Sequence, residues 1–300
     1  MKQLFIQLNV AIVLLMTFSF HCMGADKYTL EYKLEKGKTY KQRMVSDMNM
    51  KMDAMGQEIN MTMKSEMGVH YDVTGQTNDL YDIRITYQKM KFNMSAPASV
   101  SIDSDSPENS SDKNAGNLVK SFMGVPIDVQ LTKQGKVISI KGIEKMVEKI
   151  NSANNEQYKL MLGQQFSEKA IRQSIEQSSS YFPGKPVAIN DSWDVVLNLN
   201  SSGIDIINKM KLTLKQVKDN IATLEVTGTI TTPEGGAVSN IQGMDAKVSA
   251  KGEQAGTIQI DMKTGWIVRS ELTQKYIQNI EIMGQTMPQE MDIKVIVTAD

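Results

Sequence analysis

Two long runs of alternating apolar and polar residues follow one another near the start of the chain, between residues 40 and 73. In the first run, methionines stand at even positions: Met44, Met48, Met50 and Met52. In the second run, the apolar residues stand at odd positions: Ile59, Met61, Met63, Met67, Val69, Tyr71 and Val73. A period of two is typical of a strand with one buried face. The short stretch Met55-Gly56-Gln57-Glu58 between the runs therefore predicts a β-hairpin with one apolar face.

The same period of two recurs through most of the remaining chain and predicts further strands. Alternating runs cover residues 28–34, 81–94, 127–140 and the region from Trp193 to the C-terminus. Within 81–94 the apolar residues change from odd to even positions. A slip of this kind predicts a β-bulge near Gln88-Lys89, which would bend the sheet.

The only long helical pattern lies between residues 142 and 180. Its first apolar stripe follows the spacing i, i+3, i+4 and i+7: Ile143, Met146, Val147 and Ile150. Further on, Ser167 is a typical N-cap, and Phe166 and Ile171 flank it at the spacing of a hydrophobic staple. Pro183-Gly184 ends this pattern. We also expect a short helix from Asn117 to Met123.

Two stretches without apolar periodicity are expected to be surface loops. Residues 95–116 are rich in Ser, Asp and Asn and hold few side chains able to bury apolar area, so we expect a mobile loop. Thr231 to Gly243 contains Pro233 and Gly235-Gly236 and predicts a second loop.

Together these elements predict an α+β fold, in which a long, curved, half-barrel-like antiparallel sheet packs on a few central helices. We expect a single β-rich domain over residues 25–300. Its two β halves, at about 26–140 and 187–300, would be joined by the helical segment 142–180.

The N-terminus carries the features of a secretory signal peptide over residues 1–24. Lys2 precedes an apolar core around Val10 to Phe18, and small residues follow near Gly24. The apolar run is too short to span a membrane. Export to the periplasm or the medium is therefore predicted. An alternative is lipid anchoring at Cys22, although the bulky Phe20-His21 before it is unlike a lipoprotein signal.

Charge and residue usage narrow the chemistry that the chain can carry out. The 33 basic and 34 acidic residues nearly cancel, so nothing favours nucleic acid as a partner. Cys22 is the sole cysteine, which excludes disulfides within the chain. Besides His21, the one histidine is His70, and it falls on the polar face of its strand. We therefore predict no catalytic residues, no metal site and no cofactor, and a protein that is not an enzyme.

The 22 methionines are the one unusual chemical signal. Flexible, polarizable Met side chains adapt to irregular apolar shapes, so a Met-rich face could line a cavity for an apolar ligand. Two alternatives stay open: the helices cover the face as ordinary core, or the face is a protein interface. The candidate lining residues are Met48, Met50, Met52, Met61, Met63, Met146, Phe166 and Ile171.

Several turn and strand motifs resemble an uncharacterised family of secreted or lipid-anchored Bacteroidetes envelope proteins. These motifs are Gly37-Lys38-Thr39-Tyr40, Gln134-Gly135-Lys136-Val137 running on to Gly142, and Pro183 followed by Asn190-Asp191-Ser192-Trp193. In architecture the family is similar to periplasmic half-barrels that carry lipids or lipoproteins. The resemblance implies no catalytic residues.

Our hypothesis from the sequence is a non-enzymatic cell-envelope protein that binds a lipid or another apolar ligand between sheet and helices. The alternative is a structural or interaction module. Such a module would bind a protein, including an envelope protein partner, or a polysaccharide through the surface loops 95–116 and 231–255.

Overall fold

A computed structural model describes residues 26–54, 56–95, 99–153, 159, 162–163, 166–201, 204–241 and 244–300. Its strands are β1 (Lys27–Tyr28), β2 (Thr39–Ala54), β3 (Gln57–Thr77), β4 (Leu80–Ser95), β5 (Val100–Asp103), β6 (Ile127–Thr132), β7 (Val137–Lys141), β8 (Val187–Ala188), β9 (Ser192–Ser201), β10 (Ile204–Lys218), β11 (Ile221–Thr231), β12 (Ala237–Ile241), β13 (Met244–Asp261), β14 (Ile267–Ile282) and β15 (Gln285–Ala299). Its described helices are α1 (Lys113–Phe122), α2 (Ile143–Asn151), α3 (Glu168–Ser179) and the 3-10 turn Pro107–Asn109.

Nearly all strands join one antiparallel sheet of 13 strands. Its order is β7-β6-β4-β3-β2-β15-β14-β13-β11-β10-β9, with β5 added to β4 and β12 added to β13. Strand β15 pairs with β2 in the middle of the sheet, where Met291 lies opposite Met50. The last strand of the chain therefore joins the N-terminal strands to the C-terminal ones.

The predicted hairpin and bulge are both confirmed. Strands β2 and β3 pair from Thr39 to Ala54 and are separated by two residues, of which Gly56 has a φ of 80°. In the β3–β4 pair, Gly68 lies opposite Lys89 and Val69 opposite Tyr87, so Gln88 is the extra residue of a bulge. Because the side-chain period is two, this bulge keeps the apolar residues of β4 on one face.

One helix touches both edges of the sheet. On the β9 side, Gln173 Nε2 of α3 donates to Asn198 O at 3.0 Å. On the β7 side, Arg172 Nη1 donates to Val137 O at 3.1 Å. Laid flat at about 4.8 Å per strand, the two edges would lie roughly 50 Å apart, whereas a helix is only about 10 Å wide. The sheet must therefore curl, and α3 lies across the gap between its edges.

The predicted α+β class is wrong, because the protein is mainly β. The helical pattern over 142–180 contains two short described helices, α2 of 9 residues and α3 of 12 residues, whereas β3 alone has 21. The described helices cover only part of the sheet: α1 and α2 pack on the core of β3, β4 and β6, and α3 contacts β7 and β9. The Ser167 cap is confirmed, since its side chain accepts from the Ala170 amide at 3.2 Å.

Residues 99–116 are folded rather than forming the expected mobile loop. Ser104 Oγ accepts from the Met90 amide at 2.9 Å, and Ser110 Oγ accepts from the Asp103 amide at 3.0 Å. Short polar side chains thus satisfy the backbone while Ile102 and Ala115 are buried. The composition of this stretch suggested a loop because it does not reveal hydrogen bonds from Ser side chains to backbone amides elsewhere in the chain. The second expected loop, residues 231–243, is partly strand in its described part, because Thr231 ends β11 and residues 237–241 form β12.

Residues 1–25 lie outside the described part of the chain, so the signal peptide and Cys22 remain predictions. The division into two β halves also stays a prediction. In the part that the structure describes, no helix is both long and apolar enough to cross a membrane.

The main core lies where the helices cover the inner face of the sheet, the face that carries the alternating apolar residues. We call it the helix-covered core. Its most deeply buried members come from strands and helices alike: Val73, Ile83, Val119, Phe122, Ile127, Met146 and Ile150. A second cluster fills the face of β9, β10, β11 and β13. In both clusters, residues from outside the 13-stranded sheet pack on its inner face: helix residues in the first, and Leu30, Tyr181 and Val187 in the second.

Candidate functional site

Methionines from four neighbouring strands line up across the inner face. Met48 of β2 lies opposite Met63 of β3, and Met63 lies opposite Met94 of β4. One step along, Met50 lies opposite both Met61 and Met291 of β15. Directly opposite residues share a face with Cβ atoms about 5 Å apart. We call this set the methionine ladder: Met48, Met50, Met52, Met61, Met63, Met94 and Met291.

The ladder is not covered by the described helices. Met291 is buried at 8% exposure, and the other ladder residues are half-buried. None of the hydrophobic clusters formed by the described residues includes a ladder methionine. By contrast, Met67 and Met90 on the same strands belong to or pack against the helix-covered core. The ladder is thus an apolar surface that the curled sheet encloses but no described element seals.

The structure separates the predicted lining residues into two groups. Met48, Met50, Met52, Met61 and Met63 lie together on the ladder. The other three, which are at most 2% exposed, belong to the helix-covered core: Met146, Phe166 and Ile171.

Aromatic packing fixes Phe166 inside that core. Its ring lies 4.9 Å from Phe122 and 5.7 Å from Tyr87, measured between ring centroids. Helix residues thus pack on β3 from Val69 to Val73 and on β4 from Tyr81 to Tyr87. The alternative in which the helices also cover the ladder as ordinary core finds no support among the described residues.

Sequence reasoning missed the half of the face contributed by β13, β14 and β15. Met291 and Ile293 continue the ladder, and Tyr276 lies opposite Met291. These residues alternate with polar ones, so the strand itself was predictable. Their position beside β2 was not, because a pairing between residues more than 200 positions apart leaves no local signal.

The inner face carries no charge along the strands that hold the ladder. In the described parts of β2, β3, β4, β13, β14 and β15, every Lys, Arg, Asp and Glu within the paired registers faces outward. Its polar side chains are uncharged amides, hydroxyls and Tyr276. Burial raises the pKa of the Tyr276 phenol, so this group also stays neutral.

The outer face of the same strands is charged. Glu66 Oε1 lies 2.9 Å from Arg43 Nε and 2.8 Å from Lys89 Nζ. The hydrogen bonds from Arg43 and then Lys89 lower the pKa of Glu66 to about 2. The sheet therefore presents two chemically opposite faces.

A groove of about 840 Å³ opens on the outer face of β10, β11, β13 and β14. Lys209, Lys211 and Lys275 line it together with Asp194 and Glu253. Because basic and acidic side chains both line it, the charge of the groove favours neither anions nor cations.

Side chains that could bind a metal ion are dispersed in the described part of the chain. Among the described residues, no three or more His, Cys, Asp and Glu side chains gather as a metal site would need. His70 lies between Lys41 and Thr86 on the outer face, where it pairs across β2 and β4. The predicted absence of a catalytic role stays a prediction.

Comparison with known proteins places the chain in a family and relates its fold to solved structures. A protein-family model described as "Family of unknown function (DUF6263)" matches residues 78–267. No curated protein matches the sequence. The resemblance to an uncharacterised family is thus confirmed at the level of a family of unknown function, whereas a Bacteroidetes source stays a prediction.

The solved structures that match this chain share little sequence with it. A lipovitellin structure concerned with lipid–protein interactions aligns with 89% of this chain at 10% identity and a TM-score of 0.50. This chain covers only 25% of that lipovitellin chain. The translocator domain of the autotransporter NalP from Neisseria meningitidis aligns over 89% of this chain and 90% of its own, at 6% identity and a TM-score of 0.22. A domain from Vibrio parahaemolyticus described as an outer membrane lipoprotein-sorting protein domain aligns over 84% and 83%, at 9% identity and a TM-score of 0.14. Only the lipovitellin likeness supports a shared fold, and it concerns the fold alone.

Proposed function

Because the chain belongs to DUF6263, a family of unknown function, we propose from the site itself that it is a non-enzymatic cell-envelope protein that binds a lipid or another apolar molecule on the methionine ladder. One observation carries this proposal. The ladder is apolar, free of charge and enclosed by the curled sheet, yet no described helix packs on it.

Leaving such a surface in water is costly. Fully burying one Met side chain is worth about 1.5–3 kcal/mol relative to exposing it, and seven ladder methionines lie side by side. Contiguous apolar surface on this scale is typical of a binding site rather than of an ordinary solvated face. An acyl chain laid along the ladder would complete the burial that the helices provide elsewhere.

The likeness to lipovitellin supports the same proposal by analogy. That structure concerns lipid–protein interactions in lipovitellin, part of which aligns with 89% of this chain at a TM-score of 0.50. The likeness is one of architecture, so it supports the shape of the site, whereas the side chains of the ladder support the class of ligand.

The proposal is tested by a pair of single substitutions on one strand. Met50→Asp places a charge on the ladder, whereas Asn49→Asp places the same charge on the exposed outer face one residue away. Native mass spectrometry of each protein, purified from its native host, measures a co-purified ligand. We expect the wild type and Asn49→Asp to carry an apolar ligand and Met50→Asp to lose it, because an unpaired charge in an apolar site is strongly unfavourable.

Two results would count against the proposal. A wild-type protein that carries no apolar ligand and does not take up Nile red would show that the ladder binds nothing of this class. Equal ligand retention by Met50→Asp and Asn49→Asp would place the ligand elsewhere. Circular dichroism of both variants checks that each is folded.

The alternative of an interaction module acting through loops receives less support. The expected loop 95–116 is folded onto α1 and β4 in its described part, and β12 and β13 occupy most of 231–255. The chain therefore offers fewer free loops for a partner than its composition suggested.

A further inference from the structure

A stripe of amide side chains crosses the uncharged inner face beside the ladder. It contains five residues from four strands: Asn208 of β10, Gln254 of β13, Gln274 and Gln278 of β14, and Gln289 of β15. Four of them are deeply buried, at 3% exposure for Asn208, 4% for Gln254 and 9% each for Gln278 and Gln289. Buried amides are costly unless hydrogen-bonded, so each requires a partner.

Part of the stripe satisfies itself. Gln274 Nε2 donates to Gln254 Oε1 at 3.2 Å, and Gln254 Nε2 in turn donates to Asn208 Oδ1. This second bond passes over Gly228 of β11, where an added Cβ would stand 3.1 Å from Gln254 Nε2. A glycine thus makes room for an amide chain that spans β10 to β14. This segment of the stripe is a structural network.

The two remaining amides, Gln278 and Gln289, do not hydrogen-bond other amides of the stripe. Gln278 and Gln289 lie directly opposite one another, yet Gln289 Nε2 reaches only the weak acceptor Met52 Sδ, at 3.2 Å. Among the described residues, none hydrogen-bonds the Gln278 side chain. In the part of the chain that the structure describes, Trp266 Nε1 is the sole fully buried side-chain N or O atom without a hydrogen-bond partner. The unpaired amide atoms of Gln278 are therefore not fully buried, and they face the space above the sheet.

The position of this amide pair relates it to the proposed lipid site. Gln289 lies two residues from Met291 on the same face of β15 and opposite Met52 of the ladder. A ligand along the ladder would therefore bring its end to Gln278 and Gln289. Because no Lys or Arg of the described ladder strands faces inward, an ionised carboxylate or phosphate would lie there without a counter-charge.

From this geometry, and resting on the proposed function, we infer that the ligand is an uncharged acylglycerol-type lipid whose ester or hydroxyl groups hydrogen-bond Gln278 and Gln289. Its acyl chain lies on the methionine ladder. A hydroxyl donates to and accepts from an amide at once, so such a group meets both polar functions of a glutamine side chain.

Displacement of bound Nile red tests the inference with three competitors of equal chain length at pH 8. They are monoolein, which is neutral and polar, sodium oleate, which is ionised, and 1-octadecene, which has no polar group. We expect monoolein to bind about tenfold more tightly than octadecene or oleate, the ratio that about 1.4 kcal/mol of hydrogen bonding provides.

Gln278→Leu removes the amide while keeping the size of the side chain, and Asn279→Leu is the matched change on the exposed outer face. Gln278→Leu is expected to lose the monoolein preference and to keep octadecene binding, which shows that the site remains folded. Asn279→Leu is expected to behave as the wild type.

The outcomes separate this inference from the proposed function. If all three competitors displace Nile red equally, or Gln278→Leu keeps the preference for monoolein, the ladder binds lipid but the amide role is wrong. Oleate binding as tight as monoolein binding would overturn the neutral headgroup. If wild-type protein binds neither Nile red nor any competitor, the proposed function fails as well.

Discussion

Two regions of the same strands differ in what lies above them. Val69 and Val73 of β3, together with Ile83 and Ile85 of β4, are at most 7% exposed beneath the helices. Farther along β3, Met61 and Met63 are half-buried and belong to no described cluster. Along β3, the covered valines and the uncovered methionines all stand at odd positions, so the alternation of apolar and polar residues does not distinguish the two regions. The difference teaches that alternation selects the face, whereas contacts from other parts of the chain decide how deeply each stretch of that face is buried.

The kind of apolar residue also changes between the two regions. Aromatic rings and branched side chains dominate the helix-covered core, including the tilted pair Tyr40 and Trp266 with centroids 4.9 Å apart. Methionine dominates the uncovered region. Rigid side chains pack against a fixed partner, and flexible ones adapt to a variable one. This contrast is the one expected if the helix-covered core is fixed packing and the ladder adapts to the proposed ligand.

The largest expected loss of stability is that of a methionine truncated in the helix-covered core, compared with one truncated on the ladder. Met146→Ala in the helix-covered core should cost about 2–5 kcal/mol of unfolding free energy, because Met146 is 0% exposed and its loss leaves a cavity. Met50→Ala should cost about 1 kcal/mol, because its side chain is only half-buried and no described layer closes over it. Urea denaturation measures both values. Equal costs would mean that the ladder is as tightly packed as the core.

A glycine substitution at the junction between α3 and the sheet should have an intermediate effect. Gly135 has a φ of +83°, and an added Cβ would collide with Ser179 O at the end of α3. A left-handed alanine by itself costs roughly 1–2 kcal/mol of unfolding free energy. Because of the added collision, Gly135→Ala should cost more than this. Gly37→Ala is the matched control, since its φ is +84° and nothing lies within 4 Å.

Hydrogen exchange locates the effect of the Gly135 substitution. We expect faster exchange of α3 amides in Gly135→Ala and no such change in Gly37→Ala. If the two variants lose the same stability and α3 exchange is unchanged, the contact of Gly135 with α3 does not hold the edges of the sheet.

The smallest effect concerns the charged outer face. Because the folded-state pKa of Glu66 is about 2 and its reference value is 4.5, the ionised Glu66 stabilises the fold above pH 4.5. That contribution is lost as the pH falls toward 2. Glu66→Gln should cost below about 1 kcal/mol at pH 7 and less still at pH 2.5. Denaturation at both pH values measures this change, and a constant difference would contradict it.

Some features of the fold follow from short stretches of sequence. The hairpin of β2 and β3, the bulge at Gln88 and the Ser167 cap were each predictable, because each depends on residues within a few positions of one another. The methionine half of the candidate site was predictable for the same reason. The folded state of 99–116 was not, because it depends on bonds such as that from the Met90 amide to Ser104.

By itself, the sequence determined which residues share a face, since side chains alternate along a strand whatever lies beside it. It did not determine which strands are neighbours, or which part of that face is covered. The pairing of β2 with β15 and the contacts of α3 with both sheet edges join residues that are distant in the chain, and only the folded backbone brings them together. Those long-range contacts separate the ladder from the core and place the amides of Gln278 and Gln289 beside it.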